Sequence, residues 1–138
     1  MGAWDYGTLD NDDAQDFIGD LLDTRGDRWL MVEAALAIIS GTADSTDAVD
    51  EAAALAAGEV VAAAASGSAA EELDEELAAW AVRAAPKSIY SLAQRAIAAV
   101  EAIGAKSELR DLWVETGDLK PWLASLEDLK RRLTITIH

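Results

Sequence analysis

The sequence predicts an all-α protein, a compact single domain of six or seven helices over residues 1–138. Two observations predict this class. Apolar residues recur at spacings of three and four along most of the chain, which is the period of an amphipathic helix. Glycine, proline and serine interrupt that pattern in the way typical of helix ends. A period-two pattern occurs only in residues 134–137 and is compatible with one short C-terminal strand.

The first helix starts at Asp10 or Asn11, since either residue is a good N-cap. Acidic residues follow in its first turn, where negative charge is favourable to the helix dipole. Its inner face is formed by apolar residues at helical spacing: Ala14, Phe17, Ile18, Leu21 and Leu22. Its outer face stacks four carboxylates: Asp12, Asp16, Asp20 and Asp23.

Two strongly apolar helices follow. Asp27 can cap a helix over residues 28–40, which is apolar almost all round and is therefore predicted to be the buried central helix. The third helix runs to about residue 66. It contains a row of small residues, Ala54, Gly58 and Ala62, that would let a neighbouring backbone approach closely. A glycine that the helix merely tolerates is the alternative explanation of Gly58.

Four further helices complete the predicted array. Ser68 and Glu71 form a capping box that starts the fourth helix, because each side chain can accept a hydrogen bond from the other's backbone N–H. Pro86 opens the fifth helix. Ser107 caps a short sixth helix, and Pro121 opens the seventh, whose last turn holds the cations that suit the helix dipole.

Charge is distributed very unevenly along the chain. Residues 1–82 contain 19 acidic and two basic residues, whereas residues 83–138 are slightly positive, and the net charge of the whole is −15. This balance argues against direct binding of nucleic acid or of an anionic membrane, because phosphate contacts need clustered lysine and arginine. A basic protein is the partner that it favours. The alternative is that the acidic surplus only keeps an alanine-rich chain in solution.

Like-charge stacks on the predicted helices are the candidate surface for such a partner: Asp12, Asp16, Asp20, Glu72 and Glu76. Like charges four residues apart destabilise a helix slightly, and a cationic partner would neutralise them. A face that is simply solvated is the alternative.

The sequence contains little that indicates catalysis, a cofactor or a metal site. It has no cysteine, and its one histidine is the C-terminal His138, a poor position for a catalytic triad. Residues 10–13 superficially resemble a calcium loop, but Gln15 and Leu21 stand where such a loop needs glycine and glutamate. Glycine-rich phosphate loops are absent. We therefore expect no catalytic residue, cofactor or metal, and catalysis by carboxylates alone is the enzymatic alternative.

The most distinctive motifs lie at the two ends of the chain. Residues 1–22 read MGAWDYGTLDNDDAQDFIGDLL, and residues 107–133 begin with SELRDLW and finish with LKRRL. They resemble the opening and closing motifs of a bacterial family catalogued as domain of unknown function 4259, or DUF4259. The positions that carry the resemblance are Gly2, Trp4, Gly7, Leu9, Asp10, Asn11, Asp12, Ser107, Glu108, Leu109, Arg110, Leu112, Trp113, Trp122, Leu129, Arg132 and Leu133. The resemblance spans the chain and implies a shared structural or binding role for the motif at residues 10–13.

The function favoured by these observations is a non-enzymatic protein-interaction module with an acidic surface. We expect it in the cytoplasm, because the N-terminus lacks the features of a signal peptide and the apolar runs are too short to cross a bilayer. The first alternative is an immunity-like or nucleic-acid-mimic inhibitor of a basic partner. The second is an enzyme with an unrecognised carboxylate site.

Overall fold

The computed structural model of the protein describes residues 7–40, 46–67, 70 and 72–134. This part of the chain forms seven α-helices and contains no strand, which confirms the all-α class. The helices are α1 (Asp12–Asp23), α2 (Arg28–Ser40), α3 (Ala48–Ser66), α4 (Glu75–Arg83), α5 (Ile89–Ala105), α6 (Glu108–Thr116) and α7 (Leu119–Thr134). The short strand considered for residues 134–137 falls mostly outside the described part, and its first residue, Thr134, is instead the last residue of α7.

Helix α3 is the centre of the array, and the prediction that α2 would be central is wrong. α3 packs against each of the other six helices. α2 instead leaves Leu30 63% and Ile38 45% exposed. Both helices are apolar on nearly every side, so hydrophobicity does not distinguish them. The difference is side-chain size, because the alanine-rich surface of α3 allows neighbouring helices to pack close on all sides.

The small-residue row of α3 forms the close contact with a neighbouring helix that the sequence predicts. Ala54, Gly58 and Ala62 are all buried. A Cβ atom placed on Gly58 would lie 3.3 Å from Cδ2 of Leu129 on α7, which is tighter than an ordinary van der Waals contact. A larger residue at this position would therefore press on the Leu129 side chain, and the structure favours the contact explanation of Gly58 over a tolerated glycine.

Three helices begin at a polar N-cap residue that the sequence predicts. The side-chain oxygen of Asn11 accepts a 2.8 Å hydrogen bond from the backbone N–H of Ala14, so Asn11 rather than Asp10 is the N-cap of α1. Asp27 caps α2 and Ser107 caps α6 in the same manner. Each cap satisfies an N–H group that has no partner within its own helix.

The fourth helix begins later than predicted. The capping box assigned to Ser68 and Glu71 lies outside the described residues, but residues 72–74 are not helical. α4 begins after Asp74, whose carboxylate accepts a 3.0 Å hydrogen bond from the N–H of Leu77. Ser68 and Asp74 are both suitable N-caps. The helix uses the second, which directly precedes its buried apolar residues.

The two prolines predicted to open helices mark the vicinity of a helix start rather than its first residue. Pro86 lies in a turn, where its carbonyl oxygen accepts a 3.1 Å hydrogen bond from the N–H of Ile89, and α5 begins at Ile89. Pro121 is the third residue of α7. That position is still within the first turn, where a missing N–H costs the helix nothing.

Two pairs of tryptophans join neighbouring helices. The rings of Trp29 and Trp80 stack with centroids 5.0 Å apart, and those of Trp113 and Trp122 with centroids 6.5 Å apart. The indole N–H of Trp29 donates a 2.9 Å hydrogen bond to the carbonyl of Ala84.

Among the described helices, none has the length and apolar character needed to cross a membrane.

Candidate functional site

The solvent face of α1 carries a row of carboxylates. Asp12, Asp16 and Asp20 are exposed on successive turns, and Asp23 continues the row. The rise of a helix places neighbouring carboxylates of the row about 6 Å apart along the axis. Within the described part of the chain, none of them forms an ion pair. We refer to these four residues as the α1 acidic row.

The few cations of the first half do not neutralise the α1 acidic row. The guanidinium of Arg28 lies 5.1 Å from the centre of the Trp80 ring and donates a 3.3 Å hydrogen bond to the carbonyl of Leu22. Arg25, the other base among residues 1–82, is exposed. The negative charge of this helix therefore faces solvent directly.

The other two predicted partner-binding residues stand on a different element. Glu72 and Glu76 are both exposed, the first just before α4 and the second in its first turn. Glu72 approaches the segment that leads into α1, because its Oε1 lies 3.9 Å from the position of a Cβ atom built on Gly7. The structure thus brings Glu72 next to Gly7, five residues before α1, and places Glu76 on α4, a helix that packs on α3 as α1 does.

The acidic motif at residues 10–13 builds the start of α1. Asp10 closes a turn with Gly7, since its carboxylate accepts a 3.0 Å hydrogen bond from the N–H of Gly7. The side chain of Gln15 donates a 2.8 Å hydrogen bond to the carbonyl of Leu9. Among the described residues, no group of three or more histidine, cysteine or acidic side chains is arranged to hold a metal ion. Within this motif, Asp10 and Asn11 therefore contribute to the structure at the start of α1.

The motif that opens α6 takes part in a reciprocal cap between two helices. Glu51, buried within α3, accepts hydrogen bonds of 3.3 and 2.9 Å from the N–H groups of Glu108 and Leu109. The Glu108 carboxylate in turn accepts a 3.1 Å hydrogen bond from the N–H of Ala48 at the start of α3. Each helix therefore supplies the carboxylate that satisfies the first N–H groups of the other, where negative charge is also favoured by the dipole.

A buried ion pair joins α3 to α7. The guanidinium of Arg132 donates two hydrogen bonds to the Glu59 carboxylate, at 2.7 and 3.0 Å, and a third of 3.0 Å to Asp128. The Thr8 hydroxyl donates to the same Glu59 carboxylate. Burial by itself lowers the pKa of Arg132, but its hydrogen bonds and the charges of Glu59 and Asp128 outweigh that effect, so the pKa is raised. Arg132 therefore stays charged at all ordinary pH values.

A cavity of about 300 Å³ lies beside this ion pair. Its lining is mostly polar and consists of Gly7, Thr8, Glu59, Ala70, Glu72, Ser125, Asp128 and Arg132. Both oxygens of Glu59 accept hydrogen bonds from Arg132, and the Thr8 hydroxyl donates to one of them. Through these contacts the pair fastens the segment before α1 to α3 and α7, which favours a structural role.

The family model described as domain of unknown function (DUF4259) matches residues 2–125 of the 138 in the chain. The chain belongs to the DUF4259 family. No curated protein and no solved structure matches it. The predicted membership of this family is thereby confirmed, and the match ends before Leu129, Arg132 and Leu133 of the closing motif.

The motif residues of this DUF4259 chain have mainly structural surroundings. Trp113 stacks on Trp122, and Glu108 forms half of the reciprocal cap. The Nε atom of Arg110 is buried and has no hydrogen-bond partner in the described part of the chain. Trp4 lies outside the described residues.

Sequence reasoning missed two buried carboxylates, Glu51 and Glu59. Arg132 was predicted as a position of family resemblance and as one of the cations in the last turn of α7, without its buried partner. A signal for both acids was present, because they interrupt the long alanine-rich run of α3, and a buried carboxylate needs a cation or several N–H donors. The identity of those donors could not be read from local spacing.

Proposed function

We propose that this DUF4259 protein binds a basic protein partner through Asp12, Asp16 and Asp20 of the α1 acidic row. Glu72 and Glu76 would contribute to the same binding surface. The observation that carries the proposal is the exposure of this row without any ion pair among the described residues. Some other acids at the surface do have a cation beside them, as in the pair between Glu33 and Arg95 at 3.4 Å.

Physical chemistry supports a cationic partner for such a row. Carboxylates four residues apart repel one another and each pair destabilises the helix by roughly 0.2 to 0.5 kcal/mol. A partner that presents lysine and arginine would relieve this repulsion on contact. Exposed charge of one sign also accelerates association with a partner of the opposite sign.

The contacts of the buried carboxylates Glu51 and Glu59 favour a binding protein over an enzyme. Glu51 caps a helix and Glu59 holds an arginine, so both are committed to the fold. An immunity-like or nucleic-acid-mimic inhibitor of a basic protein would use the same acidic surface, and it differs only in what binding does to the partner. We therefore treat inhibition as a special case of the proposed binding.

The proposal is tested by capture of partners from lysate at low salt with three baits. The first is the wild-type protein, and the second carries Asp16→Lys and Asp20→Lys. The third carries Asp111→Lys and Glu115→Lys, two exposed acids of α6, and so has the same net charge as the second.

We expect basic proteins to be retained by the wild-type and α6 baits and lost from the α1 bait. Retention should also fall as salt rises, because the Debye length shortens from about 10 Å at 0.1 M to about 3 Å at 1 M. Equal retention by all three baits, or retention that does not depend on salt, would show that the α1 acidic row is only a solvated surface.

A further inference from the structure

An apolar groove runs along the outside of the molecule where α1, α2 and α3 meet. Its volume is about 280 Å³. The apolar side chains that line it are Phe17, Met31, Ala34, Ala35, Ile38 and Ala53. Asp50 is the one charged residue in the lining among the described residues. Burying this surface against apolar groups of another molecule would be favourable, since it removes hydrocarbon from water.

The groove continues into an exposed apolar row of α2. Leu30, Ala34 and Ile38 stand four residues apart and therefore share one face of the helix. Leu30 is 63% exposed and Ile38 is 45% exposed, high values for large aliphatic side chains. From Met31 to Ile38 the groove extends about 10 Å along α2, which corresponds to two helical turns.

Acidic side chains border the groove. Phe17 is the α1 residue in its lining, and the helix places Asp13, Asp16 and Asp20 four before, one before and three after it. At 3.6 residues per turn, Phe17 lies between these three aspartates and the buried residues around the circumference of α1. The groove is thus an apolar strip with Asp13, Asp16 and Asp20 of α1 along one edge and Asp50 in its wall.

We propose that this groove receives the apolar face of a basic amphipathic helix of the partner. Its apolar residues, at spacings of three, four and seven, would occupy the two turns of the groove. Its lysines and arginines would lie over the α1 acidic row. The inference rests on the proposed function and adds to it the shape of the ligand. A second copy of this chain is a poorer occupant, because it would place two acidic edges against each other.

A synthetic peptide provides the probe. It contains leucine at helical spacing and lysine elsewhere, with a length of about 18 residues so that it can form a stable helix. A scrambled peptide of the same composition has the same charge but no apolar face. The chain has only two methionines, so a spectrum of protein labelled with ¹³C at the methionine methyl groups contains one reporter inside the groove, Met31.

We expect the amphipathic peptide to shift the Met31 methyl signal and the scrambled peptide to leave it unchanged. Dilution of the protein alone should also leave that signal unchanged. A shift on dilution would identify a second copy as the occupant of the groove, and it would overturn the assignment to a basic helix.

Two matched variants separate groove binding from simple charge attraction. Ala34→Glu places a charge in the groove, whereas Ala98→Glu adds the same charge at an exposed position of α5. Both positions are exposed in helices, where glutamate is a good helix former. A purely electrostatic interaction with the lysine peptide would be unchanged or tightened by either substitution.

We expect Ala34→Glu to weaken the amphipathic peptide at least about tenfold, because an apolar contact is replaced by a charge that must lose its water. Ala98→Glu should leave the affinity unchanged or higher. If Ala34→Glu binds the peptide as tightly as wild type, or if the scrambled peptide binds equally well, the groove is not the site and only the acidic surface remains. If neither peptide binds at low salt, the proposed function itself is contradicted.

Discussion

Replacement of Arg132 by methionine removes the cation from the buried ion pair and leaves the Glu59 carboxylate without its main partner. The side chain of Glu59 is 1% exposed and that of Arg132 is 11% exposed, so the guanidinium is the main compensation for the charge of the Glu59 carboxylate. Methionine is uncharged and replaces the aliphatic stem of arginine, so the substitution removes the guanidinium and keeps most of the packing of the stem.

The expected loss of stability follows from this burial. Removal of one partner from a buried ion pair costs about 3 to 5 kcal/mol, because an uncompensated charge stays behind. A domain of ordinary stability, about 5 to 15 kcal/mol, would lose a large fraction of its total. Addition of Glu59→Gln to Arg132→Met should recover much of the loss, since glutamine is neutral and still accepts the hydrogen bond from Thr8.

Urea unfolding followed by circular dichroism measures these changes. Arg131→Met is the control, because its side chain is 67% exposed and its ion pair with Asp128 lies at the surface. That substitution should cost about 0 to 1 kcal/mol. The reasoning fails if Arg132→Met is as mild as Arg131→Met, or if the double variant is no more stable than Arg132→Met alone.

Three further predictions concern the helices. Asn11→Ala should destabilise the protein by about 0.5 to 2 kcal/mol through loss of the α1 cap, and calcium should not change the melting temperature. Calcium-dependent stabilisation that vanishes in this variant would instead indicate an ion site. Glu51→Ala should cost about 1 to 3 kcal/mol in the same urea assay, because it leaves the N–H groups of Glu108 and Leu109 without their carboxylate. A cost near zero would mean that water replaces the cap. Gly19→Ala should raise the melting temperature, since no atom lies within 4 Å of the added methyl and alanine stabilises a helix by roughly 0.5 to 1 kcal/mol, whereas Gly58→Ala should gain less or lose. Equal gains at the two glycines would contradict the close approach of α7.

The helices themselves could be predicted because their signals are local. The apolar spacing of α1 and the caps at Asn11, Asp27 and Ser107 are contained within a few residues of each other, and the structure has them where the pattern places them. The solvent exposure of the α1 acidic row follows from the same local geometry. The choice between α2 and α3 as the central helix depends on how all seven helices pack, and no single segment contains that information.

The polar contacts of the interior could not be predicted for the same reason. Glu59 and Arg132 are 73 residues apart in the chain, and Glu51 lies 58 residues from the N–H of Leu109 that it caps. The sequence pattern shows that Glu51 and Glu59 interrupt an otherwise apolar helix. Only the fold shows which arginine or helix start satisfies it.

We propose that the α1 acidic row is the surface at which a basic partner binds. Its most direct test is a titration of ¹⁵N-labelled protein with a short oligolysine peptide, followed by backbone amide NMR at low and high salt. We predict that the largest shifts at low salt fall within α1 (Asp12–Asp23) and that they disappear near 1 M salt, where the Debye length is about 3 Å. Largest shifts in α5, α6 or α7, or shifts of equal size at every exposed acid, would contradict the claim.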